Sequence, residues 1–265
     1  MDRAEPGLVI VGALGRMGRA LQEAALSAGL PVEGLVDRPE MSGTPSTVEG
    51  VPVSISGSLR EVVDGHRVAI VFSSPENTLE VLRTAASHGM ALVVGTTGMG
   101  AAGETALREA ARHVPVVAAA NYSVGVNLLQ ELVETASRVL GDRGYDAEIV
   151  EAHHKHKKDA PSGTALMLAQ AVAKGRGVEL ADVAVYGREG LPGERPKGEI
   201  GIHAVRGGSV VGDHWVTFFG EGERIEIHHH AESRRTFAEG AVRAAQWVAG
   251  RKPGLYTMRH VLGLD

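Results

Sequence analysis

The residues best suited to acid–base chemistry lie in one short segment, His153–Lys158. Three histidines and three lysines occupy its six successive positions. Ser162 follows, and a serine there is typical of a helix N-cap, because its hydroxyl can accept a hydrogen bond from the first turn. The amides of Gly163 and Thr164 would then lie in that first turn, where N–H groups have no acceptor within the helix. Cationic side chains beside a helix N-terminus predict an anion site. Imidazole and ammonium groups can also donate protons near neutral pH when their neighbours shift them.

Two other interpretations of this segment remain open. The segment could be a solvated basic loop that binds nothing. It could also hold a metal ion, because His153 and His156 have a plausible ligand spacing and His228–His230 would add further imidazoles. The chain has no cysteine, and lysines interleaved with the histidines would repel a divalent cation. We therefore expect an anion site without a metal, and one inward-facing ring in the run His228–His230, which ends a predicted strand.

A second candidate site is the glycine-rich segment Gly12–Gly18, with the sequence GALGRMG. Its G-x-x-G-x-x-G spacing differs from the G-x-G-x-x-G that is usual in dinucleotide-binding turns. The segment nevertheless lies between an apolar strand and a helix, and Asp37 ends the following strand 19 residues after Gly18. A carboxylate there can accept hydrogen bonds from the adenosine ribose, whereas Arg38 could contact a 2′-phosphate. The context predicts dinucleotide binding, and the alternative is an ordinary turn with a surface Asp-Arg pair.

Polar residues also follow two later predicted strands. Gly95–Gly98 (GTTG) follows one of them, and Ala120–Ser123 (ANYS) follows the next. Open α/β sheets bind ligands at the carboxyl ends of their strands, so these hydroxyl and amide groups could orient a nicotinamide and its ribose. They could instead be helix N-caps, which serine and threonine often are.

The elements that must position these residues alternate along the first part of the chain. Apolar runs predict buried parallel strands that alternate with helices. The predicted strands are Leu8–Val11, Val32–Val36, Val68–Phe72, Ala91–Val94 and Val114–Ala118. The predicted helices are Arg19–Ala28, Glu76–Ser87 and Gly103–His113. This order predicts an α/β fold with a Rossmann-type, doubly wound parallel sheet.

The rest of the chain predicts a second, α+β domain with a mixed, largely antiparallel sheet. Gly207-Gly208 suggests a hairpin-like pair of strands, and Gly220-Glu221-Gly222 suggests another. The Gly- and Pro-rich stretch Tyr186–Glu199 predicts a long loop. The predicted strands are Asp146–Ala152, Ile200–Val205, Val210–Phe219 and Arg224–His228, and the predicted helices are Val124–Leu140, Thr164–Lys174 and Thr236–Val248.

Composition excludes several classes of protein. The chain has 265 residues, 43% of them hydrophobic, which is enough for a sizeable core. A net charge of −5 and an aromatic content of 4% argue against nucleic-acid binding, which needs a basic surface or stacking side chains. No apolar run approaches the ~18 residues of a membrane span, and the N-terminus lacks an apolar signal segment. We expect a cytoplasmic protein without a membrane or nucleic-acid partner.

Several motifs together resemble the dihydrodipicolinate reductase family. The most specific is EIVEAHHKHKKDAPSGTA at 148–165. The others extend the likeness over nearly the whole chain: VIVGALGRMG at 9–18, GTTG at 95–98, ANYSVGVN at 120–127, FGEGERIEI at 219–227 and SRRTFAEGAVRAA at 233–245.

The resemblance implies a reaction and a role for each matching residue. The reaction is the reduction of 4-hydroxy-tetrahydrodipicolinate to tetrahydrodipicolinate and water with NADH or NADPH, in the diaminopimelate route of lysine biosynthesis. His153 would be the general acid/base and Lys157 the proton donor, while His154 and the Gly163 and Thr164 amides would hold the substrate carboxylates. The residues that would hold the cofactor are Gly12, Ala13, Leu14, Gly15, Arg16, Met17, Asp37, Arg38, Gly95, Thr96, Thr97, Ala120, Asn121, Tyr122 and Ser123.

The resemblance also implies an organisation. A Rossmann domain over 1–124 would be completed by 235–265, and residues 125–234 would bind the substrate and build a homotetramer. Asp37 favours NADH, but Arg38 and Arg16 could accept a 2′-phosphate, so we expect use of both cofactors with some preference for NADH. Two alternatives remain: a reductase of a different imine or keto dicarboxylate, and a dinucleotide sensor without turnover. The sensor would not need histidines and lysines clustered at an anion site.

Overall fold

The structure is a computed structural model that describes residues 6–48, 51–63 and 67–264. The chain divides into two compact units, here called the first unit (Met1–Val124 with Arg234–Asp265) and the second unit (Gly125–Ser233). The strands are β1 Gly7–Val11, β2 Val32–Val36, β3 Pro45–Val48, β4 Val51–Ser56, β5 Arg67–Val71, β6 Ala91–Val94, β7 Pro115–Ala118, β8 Asp146–His153, β9 Ala184–Tyr186, β10 Ile200–Arg206, β11 Gly212–Phe219, β12 Arg224–Ala231 and β13 Gly254–Tyr256. The α-helices are α1 Arg16–Ser27, α2 Pro75–Ser87, α3 Gly100–Ala110, α4 Val124–Leu140, α5 Gly163–Arg176, α6 Leu180–Val183, α7 Arg235–Val248 and α8 Met258–Leu262.

The first unit is built on an eight-stranded sheet of the described residues in the order β13-β7-β6-β5-β1-β2-β4-β3. Every pairing is parallel except that of β3 with β4, which is antiparallel. Side chains of β1 alternate between two cores: Leu8 and Ile10 pack with α1 and α7, whereas Val9 and Val11 pack with α2. Both faces of the strands are therefore buried, as their continuous apolar runs predict. The Rossmann-type doubly wound sheet is confirmed.

The second unit is a five-stranded sheet of described residues in the order β12-β11-β8-β10-β9. β11 pairs antiparallel with β12 and with β8, and β10 pairs parallel with β8 and with β9. The sheet is mixed, as predicted. One face packs on α4 and α5 around Ile149, Leu168 and Phe218. The opposite face of the sheet is the outer face.

The predicted pairing of Ile200–Val205 with Val210–Phe219 as a hairpin is wrong. The two strands are separated by β8, which pairs with each of them. Neighbouring strands lie about 4.8 Å apart, so the segment after β10 crosses roughly twice that distance over the end of β8. The physical reason is burial: β8 contributes Ala147 and Ile149 to the core between the two strands. The predicted second hairpin, β11–β12, is confirmed.

Several boundaries also differ from the predictions. α1 begins at Arg16 and not at Arg19, because Gly15 has extended backbone angles and is the N-cap. α3 begins at Gly100 and not at Gly103. Four strands at the sheet edges or next to one were not predicted, namely β3, β4, β9 and β13. β3, β9 and β13 have only three or four residues, too few to show a hydrophobic period, whereas the alternating sequence VPVSIS of β4 was a signal that the prediction missed.

Candidate active site

The glycine turn of the first unit contains three glycines, and each has a different structural role. Gly12 has φ +85°, and an added Cβ would overlap the carbonyl oxygen of Phe72. A Cβ on Gly18 would overlap the carbonyl oxygens of Gly12 and Ala13, so this glycine allows α1 to pack closely on the turn. Gly15 has an ordinary φ of −68° and is exposed. Its lack of a side chain keeps the N-terminus of α1 accessible from outside, as contact with a phosphate requires.

Asp37 ties the end of β2 to this turn. Its Oδ2 accepts a hydrogen bond of 2.8 Å from the Leu14 amide, and its Oδ1 accepts one of 2.9 Å from the Arg38 amide. The side chain of Asp37 is only 9% exposed, whereas that of Arg38 is 70% exposed and lies 3.6 Å from both Asp37 and Glu40. A carboxylate oxygen has two lone pairs, so Asp37 retains capacity for hydroxyl donors.

A pocket of about 690 Å³ adjoins the turn. This volume is within the range of small-molecule and cofactor sites. Its lining comes from the turn, the end of β2, the end of β5 and the first turns of α2: Gly12, Leu14, Gly15, Asp37, Arg38, Pro39, Phe72, Ser73, Ser74, Glu76, Asn77 and Glu80. The residues from Phe72 onward were not predicted as site residues, although Ser73-Ser74-Pro75 after a strand was a signal for them.

The remaining predicted residues of the turn have internal roles. Ala13 is fully buried, and its amide and that of Gly12 donate to the Val36 carbonyl. Met17 is half-buried against the core, and Arg16 is exposed at the first position of α1. Only Arg16 among these three side chains is therefore free to meet a ligand outside the turn.

The two predicted polar segments after β6 and β7 lie at the carboxyl ends of their strands. The Thr96 hydroxyl lies 2.7 Å from that of Thr78, and Thr97 is exposed. A second pocket of about 370 Å³ is lined by residues of both segments, including Thr96, Thr97 and Ala120. An added Cβ on Gly95 would overlap the Phe72 ring. Gly95 therefore makes room for Phe72, whose ring also packs 5.8 Å from that of Tyr122.

Tyr122 and Ser123 are buried. The Tyr122 hydroxyl donates to the carbonyls of Val94 and Val117 at 2.8 and 3.0 Å, and burial raises the pKa of Tyr122 above its usual value. Its side chain therefore stabilises the core, and a ligand could contact Tyr122 only through its backbone. The Asn121 Oδ1 accepts a hydrogen bond of 2.8 Å from the Ser123 amide.

The glycine turn, Asp37 and the adjoining pocket are together suited to binding a dinucleotide. The turn exposes the N-terminus of α1 at a glycine, a carboxylate ends the second strand, and a pocket of suitable size joins them. The three features match the positions at which a Rossmann sheet holds the pyrophosphate and the adenosine ribose.

His153 in the second unit is the last residue of β8, and its ring contacts a buried carboxylate. The Nδ1 atom lies 2.6 Å from Oε2 of Glu151, whose side chain is 0% exposed. Strand register explains the neighbours, because His214 of β11 pairs with Glu151 and Arg206 of β10 pairs with His153. These four side chains project toward the same face of the sheet as the core.

Glu151 accepts four hydrogen bonds. Arg206 donates to both carboxylate oxygens at 2.8 Å, and the Ser162 amide donates to Oε1 at 2.9 Å. Burial alone would raise the pKa of Glu151, but the hydrogen bonds from Arg206, His153 and Ser162 outweigh it and hold the pKa below its usual value. The carboxylate is therefore ionised at neutral pH. Neither Glu151 nor Arg206 was predicted to have a role.

The loop after His153 places Lys157 beside Asp159, with 2.8 Å between the ammonium nitrogen and Oδ2. The hydrogen bond from Lys157 holds the pKa of Asp159 below its usual value. Lys157 is largely buried, whereas Lys158 is exposed. His154 is half-buried, and its ring centroid lies 6.3 Å from that of His156.

Ser162 is the N-cap of α5, as predicted, and its hydroxyl accepts a hydrogen bond of 3.1 Å from the Ala165 amide. The same hydroxyl lies 3.3 Å from Nε2 of His214. Gly163 is exposed, with nothing within 4 Å of an added Cβ. Thr164 follows it in the first turn, where N–H groups lack helical acceptors.

His214 and His229 were not given a role beyond the prediction of one inward-facing ring. Burial, with the neighbouring His153, lowers the pKa of His214 to about 3, so this ring is neutral. His229 is the half-buried member of its run and lies 6.4 Å from His214 between ring centroids. His228 and His230 are exposed and pack edge-on against Trp215.

The described residues contain neither a metal-binding cluster nor a membrane-spanning helix. Within them, no set of three or more His, Asp or Glu side chains is arranged to bind a metal ion. No helix in the described part of the chain has the length and apolarity needed to cross a membrane.

Comparison with known proteins adds independent findings. Residues 7–122 match the family model described as dihydrodipicolinate reductase, N-terminus, and residues 125–262 match its C-terminus counterpart. Curated relatives named 4-hydroxy-tetrahydrodipicolinate reductase include one from Acinetobacter baumannii, 49% identical over 99% of this chain and 98% of its own. Another, from Thiobacillus denitrificans, is 51% identical over 97% of this chain and 98% of its own.

Solved structures share the fold. A dipicolinate-bound dihydrodipicolinate reductase from Paenisporosarcina sp. TG-14 aligns with a TM-score of 0.73 and 22% identity, covering 96% of this chain and 98% of that one. An aspartate semialdehyde dehydrogenase II from Vibrio cholerae aligns with a TM-score of 0.57 and 13% identity, covering 92% of this chain and 98% of that one. With both halves matched and near-full-length relatives about half identical, the chain belongs to the dihydrodipicolinate reductase family.

Proposed function

We propose that this chain catalyses the reduction of 4-hydroxy-tetrahydrodipicolinate to tetrahydrodipicolinate and water with a reduced nicotinamide cofactor, in the diaminopimelate route of lysine biosynthesis. The observation that carries the proposal is the continuous segment from His153 to Thr164. It brings an imidazole on a buried carboxylate, a largely buried ammonium group and a helix N-terminus into one loop. The first unit binds the cofactor and the second binds the substrate.

The substrate is a small dicarboxylate, and the loop suits a dianion. The N-terminus of the 14-residue α5 carries a partial positive charge, and the exposed Gly163 leaves open space beside it. We assign one carboxylate of the substrate to the Gly163 and Thr164 amides and assign His154 to the same anion. The solved relative from Paenisporosarcina is described as dipicolinate-bound, and dipicolinate also has two carboxylates.

The reaction removes the 4-hydroxyl as water and adds one hydride and one proton to the ring. The nicotinamide cofactor supplies the hydride when bound. Lys157 supplies the proton to the ring as negative charge develops there, and His153 acts as general acid/base through Nε2. Donors held in place before reaction stabilise that charge without reorganisation.

The pocket at Asp37 supports a preference for NADH over NADPH. Its lining contains three carboxylates, Asp37, Glu76 and Glu80, against one arginine, Arg38. A 2′-phosphate would add about two negative charges to this lining, whereas ribose hydroxyls can donate to Asp37. We infer that both cofactors are used, with NADH favoured. A kcat/KM for NADPH well above that for NADH would contradict this preference.

A homotetramer is supported by the outer face of the second sheet. Val205 of β10 and Phe219 of β11 are 51% and 43% exposed on this face, and Trp215 of β11 projects toward the same face. We propose that a second copy of the chain covers this face, because exposed apolar patches on a sheet mark interaction surfaces.

The proposed reaction can be tested with purified protein by following absorbance at 340 nm after adding 4-hydroxy-tetrahydrodipicolinate and NADH or NADPH. Oxidation of the cofactor that depends on the substrate is expected, and dipicolinate should inhibit competitively. Cofactor binding by fluorescence without any oxidation would favour a sensor, and oxidation only with another imine or keto dicarboxylate would favour a different reductase.

A further inference from the structure

The hydrogen bonds around Glu151 determine which nitrogen of His153 carries a proton. An ionised carboxylate is only an acceptor, and Glu151 Oε2 lies 2.6 Å from Nδ1 of His153. Nδ1 must therefore bear hydrogen. The neutral ring then presents an unprotonated Nε2, which is the atom that the proposed acid/base role needs.

The surroundings of Nε2 are consistent with this arrangement. An added Cβ on Gly212 would lie 3.0 Å from Nε2 of His153. Glycine at this position of β11 therefore leaves space beside the nitrogen that a side chain would fill. The neighbouring His214 ring packs edge-on at 5.3 Å and is neutral, so it adds no positive charge.

Arg206 stabilises the ionised form of the buried Glu151 carboxylate. A carboxylate removed from water without a counter-ion would take up a proton, and its hydroxyl could then donate to Nδ1 and favour the opposite tautomer. Arg206 binds both oxygens of Glu151 and also donates to the Asp159 carbonyl at 2.7 Å. The ion pair thus links β8, β10 and the cationic loop.

We infer that Glu151 and Arg206 are positioning residues that hold His153 as the Nδ1–H tautomer with Nε2 directed away from the carboxylate. The inference rests on the proposed function, because it concerns how His153 performs its role in that reaction. Both residues act through the His153 ring, Glu151 by direct contact and Arg206 through Glu151. Partners that orient a metal-bound imidazole change metal affinity or activity about 10- to 100-fold when replaced, and we expect an effect of that order for His153.

The first test is Glu151→Gln, which keeps the shape but replaces one oxygen with an NH₂ donor. With Oε1 retained by the Ser162 amide, that NH₂ faces Nδ1 of His153 and favours the opposite tautomer. We expect kcat to fall about 100-fold, while KM for the substrate and Kd for NADH change less than about threefold. Unchanged kcat would overturn the inference.

A double variant separates the chemical role of Glu151 from a structural one. Glu151→Gln leaves the partly buried Arg206 charge without its carboxylate, which is destabilising, whereas replacing both partners of an ion pair is often neutral. Glu151→Gln with Arg206→Met should fold and keep the low kcat, because the carboxylate is still missing. Recovery of wild-type kcat would show that the carboxylate does not act on His153.

Glu148→Gln is the matched control. Glu148 lies three residues earlier on β8, on the outer face, and also contacts two arginines and a histidine. The Glu148→Gln variant removes one negative charge, as Glu151→Gln does, from a hydrogen-bond network that does not include His153. We expect kcat within about twofold of wild type, and a fall as large as that of Glu151→Gln would contradict a specific role.

The tautomer itself can be measured without any substitution at Glu151. In a ¹⁵N-histidine spectrum of the wild-type protein at pH 8, the signal that disappears in His153→Gln should show a protonated Nδ1 and an unprotonated Nε2. The reverse pattern would overturn the inference even if every variant were inactive. If His153→Gln retains full activity, the proposed function of His153 fails. If it loses activity while Glu151→Gln does not, only the inference about Glu151 and Arg206 fails.

Discussion

Oδ2 of Asp37 accepts a 2.8 Å hydrogen bond from the backbone amide of Leu14, which fastens the end of β2 to the glycine turn before α1. One carboxylate thus shapes the turn and faces the pocket in which the cofactor is proposed to bind.

Asp37→Ala should raise the Kd for NADH by about 10- to 100-fold, since a hydrogen bond to a charged group contributes about 1.5–3 kcal/mol. The ratio of NADPH to NADH affinity should increase, because the variant removes negative charge near a 2′-phosphate. Fluorescence titration with both cofactors measures these changes. Glu40→Ala removes a nearby exposed carboxylate and should leave the NADH Kd within about twofold. Equal losses in the two variants would show that Asp37 has no specific contact with the ribose.

Gly12→Ala should destabilise the apo protein by more than about 2 kcal/mol. The cost of a left-handed backbone at a residue other than glycine is about 1–2 kcal/mol, and the overlap with the Phe72 carbonyl adds to it. Gly43→Ala is the matched comparison, because Gly43 has a similar φ of +77° but open space around an added Cβ. Urea unfolding followed by circular dichroism should give the smaller loss for Gly43→Ala. The reverse order would exclude crowding at Gly12.

Lys157→Ala should lower kcat by about 10²- to 10⁴-fold, the range for loss of a general acid. Kd for NADH should change little, because Lys157 belongs to the second unit and the glycine turn to the first. Lys158→Ala removes the same charge from an exposed neighbour and should retain most activity. Unchanged turnover of Lys157→Ala in the 340 nm assay would remove this residue from the mechanism.

Val205→Glu should dissociate the proposed homotetramer, because it places a charge on the outer face of the second sheet. Wild-type protein should sediment at four times the chain mass of 27.8 kDa, and the variant at a smaller multiple. Val139→Glu is the control: Val139 is 56% exposed on α4, on the other side of the sheet. A wild-type monomer in analytical ultracentrifugation would contradict the assembly.

Glu148 should contribute to stability in a pH-dependent manner. Burial alone would raise its pKa, but hydrogen bonds from Arg188, His203 and Arg195 lower the pKa of Glu148 to about 2. Because this pKa lies below the unfolded value, the stabilisation is present above about pH 4.5 and is lost as pH falls toward 2. This contribution to the free energy of unfolding amounts to about 3 kcal/mol.

The test of this contribution compares urea unfolding of wild type and Glu148→Gln between pH 7 and pH 3. The wild type should lose more stability than the variant over this interval. Parallel curves would mean that the arginines do not stabilise the ionised form of Glu148.

Sequence patterns determined the features that depend on neighbours along the chain. The N-cap Ser162 was predicted because capping involves residues only three positions apart. The alternation of buried strands and helices likewise predicted the Rossmann-type sheet, because burial on both faces requires continuous apolar runs. The identity of the family also followed from local motifs, since the segment at 148–165 is contiguous.

Only the tertiary structure decided which distant residues meet. Arg206 is 55 positions from Glu151, and His214 is 52 positions from Ser162. Both contacts depend on β8 lying between β10 and β11, which the hairpin prediction missed. Side chains alternate between faces with a period of two, so a change of strand order or register would separate Glu151 from these partners. The sequence therefore determined the loop that carries the histidines and lysines, and strand pairing decided how His153 is held, because pairing optimises burial over the whole sheet.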